Sequence, residues 1–575
     1  MLAAAFDRPE AIRRLETTDF DVVVVGGGIT GVGCALDAAA RGLRTALIER
    51  DDFASGTSSR SSKLVHGGLR YLQQGEVRLV YEALLERQRL LRNAPHLVKV
   101  LPFLIPMITG RDGVLNPKLA RALGSAMWAY DLTGGVRIGK LHRRISVDEA
   151  VRQVPTLRAD RLAPSYLYYD AQADDARLTL TVARTAALDH GAVVVNRASL
   201  ASIERDAAGQ VESVGVDLHA PGEQHRTIAV RTSSVVNATG VWADDVTAIA
   251  EGSHPHSIRP AKGIHITVPW SKLRNDIAVV VPVRQDKRSI FVVRWGDLAY
   301  AGTTDTDFDG DPDDPQCTPD DVAYVLDALN AAFTTDLTPD DVTGTWAGLR
   351  PLVNTTGSGR TADLSRRHRV GVGEGGLVTV TGGKLTTYRK MAADTIDALL
   401  DGVLPDEAIA RAARRSTTKR LRLRGADGYD ELVAAAPALS RHLPAVAVDH
   451  LAHRYGGEAH ALIAMVERDP SLGASLVPGL PYLRAEALYA VRYEMALSID
   501  DVLSRRTRAR LLRRDDSAEV AEAVAELIGP ELSWDEAESA RQVAEYRASI
   551  EHERAVPELP ETALSHLAPH DTTGA

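Results

Sequence analysis

"FDVVVVGGGITGVGCALDAAARGLRTALIER" (Phe20–Arg50) decides the fold class of this chain. Val22–Val25 form an unbroken β-branched run, the pattern of a strand buried on both faces. Gly26, Gly28 and Gly31 follow at once and give G-x-G-x-x-G. An alanine-rich stretch at helical spacing runs to Gly42, and a second apolar stretch, Thr45–Ile48, ends in Glu49. Strand, glycine turn, helix, strand and terminal acid in this order predict an α/β domain of the Rossmann type that binds a dinucleotide. Gly26 permits the tight turn, Gly28 admits a pyrophosphate to the backbone, and Gly31 lets helix and strand pack closely. Ile29 and Thr30 open the helix, whose free N–H groups and positive dipole end favour phosphate. Glu49 is placed to accept the ribose hydroxyls, with Arg50 beside it.

Context separates this motif from a second one. Gly371, Gly373 and Gly376 in "GVGEGG" match the same spacing, but the strand-like "LVTVTGG" follows instead of a helix. That stretch reads as a hairpin turn. No further dinucleotide fingerprint is present for a nicotinamide. A polar loop, "ASGTSSRSSK", follows the second strand, and "SSVVNATGVWADD" (Ser233–Asp245) runs an apolar strand into Ala238, Thr239 and Gly240. Both features favour a flavin reduced directly by its substrate.

With 575 residues the chain exceeds one core and predicts two or three domains. Its net charge of −10 argues against a general nucleic-acid binder. Two cysteines, Cys34 and Cys317, make neither a disulfide framework nor a zinc site, which points to a reducing compartment. No metal site is expected: the aspartates of "AGTTDTDFDGD" (Ala301–Asp311) lack calcium-loop spacing. Asp7, Pro9 and Glu10 interrupt any signal-peptide core, and no uncharged apolar run approaches the ~18 residues of a spanning helix.

The motifs "VVGGGITGVGCALDAAARGL", "TSSRSSKLVHGGLRYL", "VNATGVW", "AGTTDTDF", "WAGLRPL" and "TGGKLTTYRKMA" occur in that order. Together they resemble the FAD-dependent, respiratory and membrane-associated glycerol-3-phosphate dehydrogenases, densely from Asp19 to Ala392 and more loosely through "VRYEMALSIDDVLSRRTR" (Val491–Arg508). The resemblance implies an α/β (α+β) architecture of the glucose-oxidase and D-amino-acid-oxidase kind. An FAD-binding domain (18–75, 165–245 and 345–402) would surround an antiparallel-sheet substrate domain (76–164 and 246–344). A helical domain (403–555) and a disordered tail (556–575) would follow. It implies oxidation of sn-glycerol 3-phosphate to dihydroxyacetone phosphate, hydride passing from C2 to FAD N5 and electrons onward to a membrane quinone. It implies a cytoplasmic protein on the inner face of the cell membrane. Homodimer formation is left open.

A phosphate dianion beside a flavin needs fixed cations, bidentate from Arg and point-like from Lys. "SSKLVHGGLRYL" (Ser61–Leu72) is built for such a ligand. The resemblance carries the substrate-site roles onto Arg70, Tyr71, Arg350 and Lys384, and more weakly onto Arg366, where neighbouring arginines blur the register. Thr303, Thr304 and Asp305 are expected to line the same pocket. Thr57, Ser58, Ser62, Lys63, Leu64, His66, Gly67, Gly383, Leu385 and Thr386 are expected around FAD. Oxidising a secondary alcohol also needs a base, and histidine titrates near neutrality. His66 sits in the glycine-flanked loop. His265, in the alternating strand "GIHITVP", faces opposite to Ile264 and Ile266. Arg350 and Lys384 would stabilise the developing oxyanion.

The basic and aromatic stretch Arg111–Arg144 is expected to meet an anionic membrane surface. "RAARRSTTKRLRLRG" (Arg411–Gly425) reads as a solvated linker, and "RRTRARLLRR" (Arg505–Arg514) as an anion-binding or solvated run. The rival readings are an oxidase of the same substrate using oxygen, an amino-acid oxidase of the same fold, and a flavin-bearing scaffold without catalysis.

Overall fold

The computed structural model describes residues 6–68, 71, 76–108, 127–128, 130–131, 134, 139–283, 288–353, 367–435, 439 and 442–562. Val22–Val25 is buried at every position and lies near the middle of a six-stranded sheet. It pairs in parallel with Thr45–Ile48 on one side and Val235–Asn237 on the other. Val193–Val195 extends the sheet beyond Thr45–Ile48, and Leu377–Thr381 extends it beyond Val235–Asn237. The second glycine motif is a hairpin turn: Arg369–Val372 and Leu377–Thr381 pair antiparallel across it.

The glycine helix, Ile29–Ala40, packs against the helices Asp175–His190 and Tyr388–Leu400. A β-carbon on Gly31 would come 1.9 Å from the Gly26 carbonyl oxygen, so helix and strand meet here at a spacing only glycine permits. Beside this sheet lies a three-stranded antiparallel meander, Ala198–Arg205, Val211–Leu218 and Arg226–Arg231.

A ten-stranded sheet forms the second layer system. Its long strand Ile258–Pro269 pairs antiparallel with Gly344–Val353 on one edge and Leu298–Gly302 on the other. Ile264, Ile266 and Val268 enter a core closed by the helix Pro319–Ala332. His265 points to the opposite face, as the alternation predicts. The strands Leu64–Val65, Leu162–Gln172 and Gly344–Val353 all hydrogen-bond into this sheet. The chain therefore crosses repeatedly between the two sheets.

The region after Asp406 is helical through Ala555 among the described residues, apart from an isolated bridge between Ser475 and Leu483. Its basic run is not solvated. Arg506 donates to both carboxylate oxygens of buried Asp52 at 2.7 and 2.8 Å, and Arg505 reaches the same group at 2.6 Å. Arg508 donates to the Ser59 carbonyl and to Asp175. Ion pairing, not hydration, satisfies these arginines, and they fasten the helical region to the loop after the second strand. The preceding linker is also tied down: Arg411 bridges Asp21, and Arg424 bridges Glu458. The start of the expected tail is ordered as well. Leu559 is buried and the Thr562 hydroxyl donates to the Val342 carbonyl at 2.8 Å. Among the described residues no helix is long and apolar enough to cross a membrane.

Candidate active site

A cavity of about 280 Å³ opens over the glycine turn. Gly26, Gly28, Ile29, Thr30, Glu49, Arg50, Thr57, Ser58, Ala238, Thr239, Gly240, Gly383 and Leu385 all line it. At Gly26 the backbone takes φ +109°, and a β-carbon there would come 2.8 Å from the Ala238 carbonyl oxygen. The two small-residue turns are thereby brought together, as a long cofactor lying across both strand ends requires. The Ser58 hydroxyl accepts from the Ile29 N–H at 2.9 Å, at the first residue of the glycine helix. The Glu49 carboxylate accepts from the N–H groups of Gly27 at 2.5 Å and Asp51 at 2.8 Å. Burial still dominates and pushes its pKa up to about 7. Trp242 lines the same cavity, and its buried indole N–H has no partner among the described residues. Glycine cradle, helix N-terminus, terminal acid and spare donor fit a dinucleotide.

Lys384 stands on the wall of this cavity, its ammonium 3.8 Å from the centroid of the Tyr71 ring. Pro351 belongs to the same wall, and Arg350 immediately precedes it. The Arg350 guanidinium is held by the Thr303 hydroxyl at 3.1 Å, the Thr304 carbonyl at 3.1 Å and the Asp305 carboxylate at 3.4 Å. The Asp305 carbonyl in turn accepts from Arg288 at 2.6 Å. The loop bearing His66 is clipped to the Lys384 segment: the His66 N–H donates to the Thr386 hydroxyl at 3.1 Å. The His66 ring meets Phe291 edge-on at 6.2 Å.

The family model for FAD dependent oxidoreductases matches residues 21–389, and that for the C-terminal domain of alpha-glycerophosphate oxidase matches residues 416–539. Glycerol-3-phosphate dehydrogenase 2 of Mycobacterium tuberculosis is 42% identical over 549 residues, covering 95% of this chain and 90% of its own. The mitochondrial glycerol-3-phosphate dehydrogenase of Homo sapiens is 35% identical, covering 93% and 74%. The solved structure of the glycerol-3-phosphate dehydrogenase from Bacillus halodurans, complexed with FAD, superposes with a TM-score of 0.74 at 30% identity, covering 95% and 96%. The chain belongs to the FAD-dependent glycerol-3-phosphate dehydrogenases.

As a member of that family it takes FAD as its cofactor. Other residues expected around the cofactor make defined contacts within the protein. Gly31 packs the helix against its strand. Leu64 is a core side chain, and its backbone pairs with Gln172. Gly67 donates its N–H to the Tyr130 hydroxyl at 3.0 Å and to Asp170 at 3.3 Å. Lys63 turns away from the cavity: its ammonium lies 3.3 Å from Asp175 and over the Trp346 ring, and desolvation lowers its pKa to about 8. Ser62 and Thr386 act as clips, to His265 and His66 respectively.

His265 does not line the cavity. It is 2% exposed, stacks on Trp346 at 4.8 Å, and places Nε2 2.9 Å from the Ser62 hydroxyl. Burial, then Lys63 and Arg350, hold its pKa well below the ordinary imidazole range, so it stays neutral. Thr303, Thr304 and Asp305 serve as the cradle of Arg350. Arg70 and Arg366 lie outside the described residues, as does most of Arg111–Arg144. The sequence reading missed Trp242, Trp346 and Asp175. Trp242 stood in the "VNATGVW" motif, which was its available signal.

Proposed function

We propose that this dehydrogenase oxidises sn-glycerol 3-phosphate to dihydroxyacetone phosphate and delivers the electrons to a membrane quinone. One observation carries the reading: Lys384 stands on the wall of the cofactor cavity, and Arg350 adjoins that wall through Pro351, so two cations come near where a substrate phosphate would sit beside the flavin. FAD supplies the hydride acceptor, at N5, for hydrogen leaving C2.

The side chains account for the rest of the chemistry. Arg350, fixed by Thr303, Thr304 and Asp305, offers a rigid fork to phosphate oxygens, and Lys384 adds a point charge. Both also stabilise negative charge on the C2 oxygen as its proton departs. His66 takes that proton. Its loop is fixed at Thr386 and at Gly67, so the imidazole is presented without reorganisation. His265 acts one step removed, bracing the loop through Ser62. Tyr71 shields the Lys384 ammonium from water.

An amino-acid substrate would carry one carboxylate and needs less positive charge than this wall offers. The quinone reading draws support from exposed apolar side chains, Val77, Tyr81, Trp128 and Leu141, which suit a bilayer surface. The discontinuous domain division given by the family resemblance is part of the same proposal.

Air-free dye reduction with purified, FAD-loaded protein tests the substrate. sn-Glycerol 3-phosphate should support turnover, while glycerol and alanine should not. Equal rates with glycerol would remove the phosphate clamp. Peroxide formed in air at the rate of quinone reduction would favour the oxygen-using alternative.

A further inference from the structure

Arg60 caps the short turn Thr57–Ser59, whose residues Thr57 and Ser58 line the cofactor cavity. Arg60 itself lies outside that cavity and faces the helical region. It borders two neighbouring spaces, one of about 660 Å³ shared with Arg50, Arg197 and His219, and one of about 230 Å³ shared with Arg510, Ser549 and Glu553. Ser55, Asp500 and Arg505 also line both.

The charges around this cleft are matched, with one exception. Asp500 is held by Arg505 at 2.8 Å and Arg510 at 3.0 Å. Glu553 is held by Arg510 at 2.8 Å, and Asp314 by His552 at 2.8 Å. Arg50 pairs with Asp313 and Arg197 with Asp501. The Arg60 guanidinium makes no hydrogen bond or ion pair with any described residue, and neither does the Ser55 hydroxyl. Burial, then the guanidinium groups of Arg510 and Arg505, press the Arg60 pKa below its ordinary value, against the opposing pull of Asp500 and Glu553. Arg60 is half-buried on the cleft wall, so its fork is open to an arriving anion. Arg60 does not line the cofactor cavity, although the larger space adjoins that cavity through Arg50, Ser55, Thr57 and Trp242.

We propose that the cleft headed by Arg60 is a second anion site, separate from the substrate site, that takes a small phosphate or diphosphate group. The guanidinium fork matches phosphate oxygens, and the Ser55 hydroxyl supplies a donor on the same wall. A bound anion would join the loop 55–60 to the helical region across the existing contacts of Arg505 and Arg508. The loop in turn lines the cofactor cavity, so occupancy would reach the flavin.

Calorimetric titration of the FAD-loaded protein with inorganic pyrophosphate tests this site. Three proteins are compared: the wild type, Lys384→Gln to weaken the substrate site, and Arg60→Gln. Binding should persist in Lys384→Gln and weaken by roughly tenfold or more in Arg60→Gln, the loss of one charge-assisted contact. Ser549→Asp serves as a second variant should Arg60→Gln fail to fold. It places a carboxylate in the smaller space and should abolish binding while FAD content is kept. No binding to the wild type, undiminished binding in Arg60→Gln or Ser549→Asp, or loss confined to Lys384→Gln would overturn the proposal.

Discussion

The ammonium of Lys384 lies 3.8 Å from the centroid of the Tyr71 ring, on the wall of the cofactor cavity. The aromatic face holds the charge in place. Lys384→Met should therefore lower kcat/KM for glycerol 3-phosphate by about 10- to 100-fold, the ~1.5–3 kcal/mol of a charge-assisted contact. Flavin content should be unchanged. Tyr71→Leu should cost less, because it loosens the cation without removing it. Steady-state kinetics of the two variants checks the order.

Arg350 is fixed by two oxygens from Thr303 and Thr304 and by Asp305. A lysine there keeps the charge but loses the fork. Arg350→Lys should raise KM by roughly tenfold or more, whereas Asp305→Asn should have a smaller effect, since two of the three anchors remain. An unchanged KM in Arg350→Lys would place the phosphate elsewhere.

Glu49 gives a pH dependence with a defined sign. Its pKa is raised from an ordinary 4.5 to about 7 by burial. Between those values the folded protein without cofactor binds more protons at this carboxyl than the unfolded chain does. The carboxyl's contribution to stability is thus fully present below 4.5 and is lost as pH rises through about 7. Ribose hydroxyls need the ionised acceptor, so FAD affinity should rise over the same window. Fluorescence titration of the cofactor-free protein at pH 5.5 and pH 8 should show tighter binding at pH 8. Glu49→Gln should flatten the profile.

The two histidines separate by burial. His66→Gln should slow flavin reduction by about 10²- to 10⁴-fold with little change in substrate affinity, as expected for loss of a general base. His265→Gln should act mainly on stability, by ~1–3 kcal/mol, because it breaks a buried contact with Ser62. Rapid-reaction reduction rates and thermal midpoints of both variants distinguish these outcomes.

Local chemistry was readable from the sequence and long-range partners were not. The turn at Gly26, the hairpin at Gly371–Gly376 and the facing of His265 each follow from neighbours within a few residues, and all three stand in the structure. The pairing of Lys63 with Asp175 was not readable, because the two lie 112 residues apart and only folding brings them together. Arg506 pairs with Asp52 across 454 residues, so a run of arginines that composition leaves as anion-binding or solvated becomes a buried clamp. The role of Trp346, stacked beneath His265 and Lys63, depends on strand pairing within the antiparallel sheet. No spacing rule encodes that.

The most direct test is to mix air-free, FAD-loaded protein with excess sn-glycerol 3-phosphate and follow the yellow absorbance. Rapid and complete bleaching, slowed in His66→Gln and shifted to higher substrate concentration in Lys384→Met, is the predicted result. A wild-type protein that keeps its colour under those conditions would contradict the account.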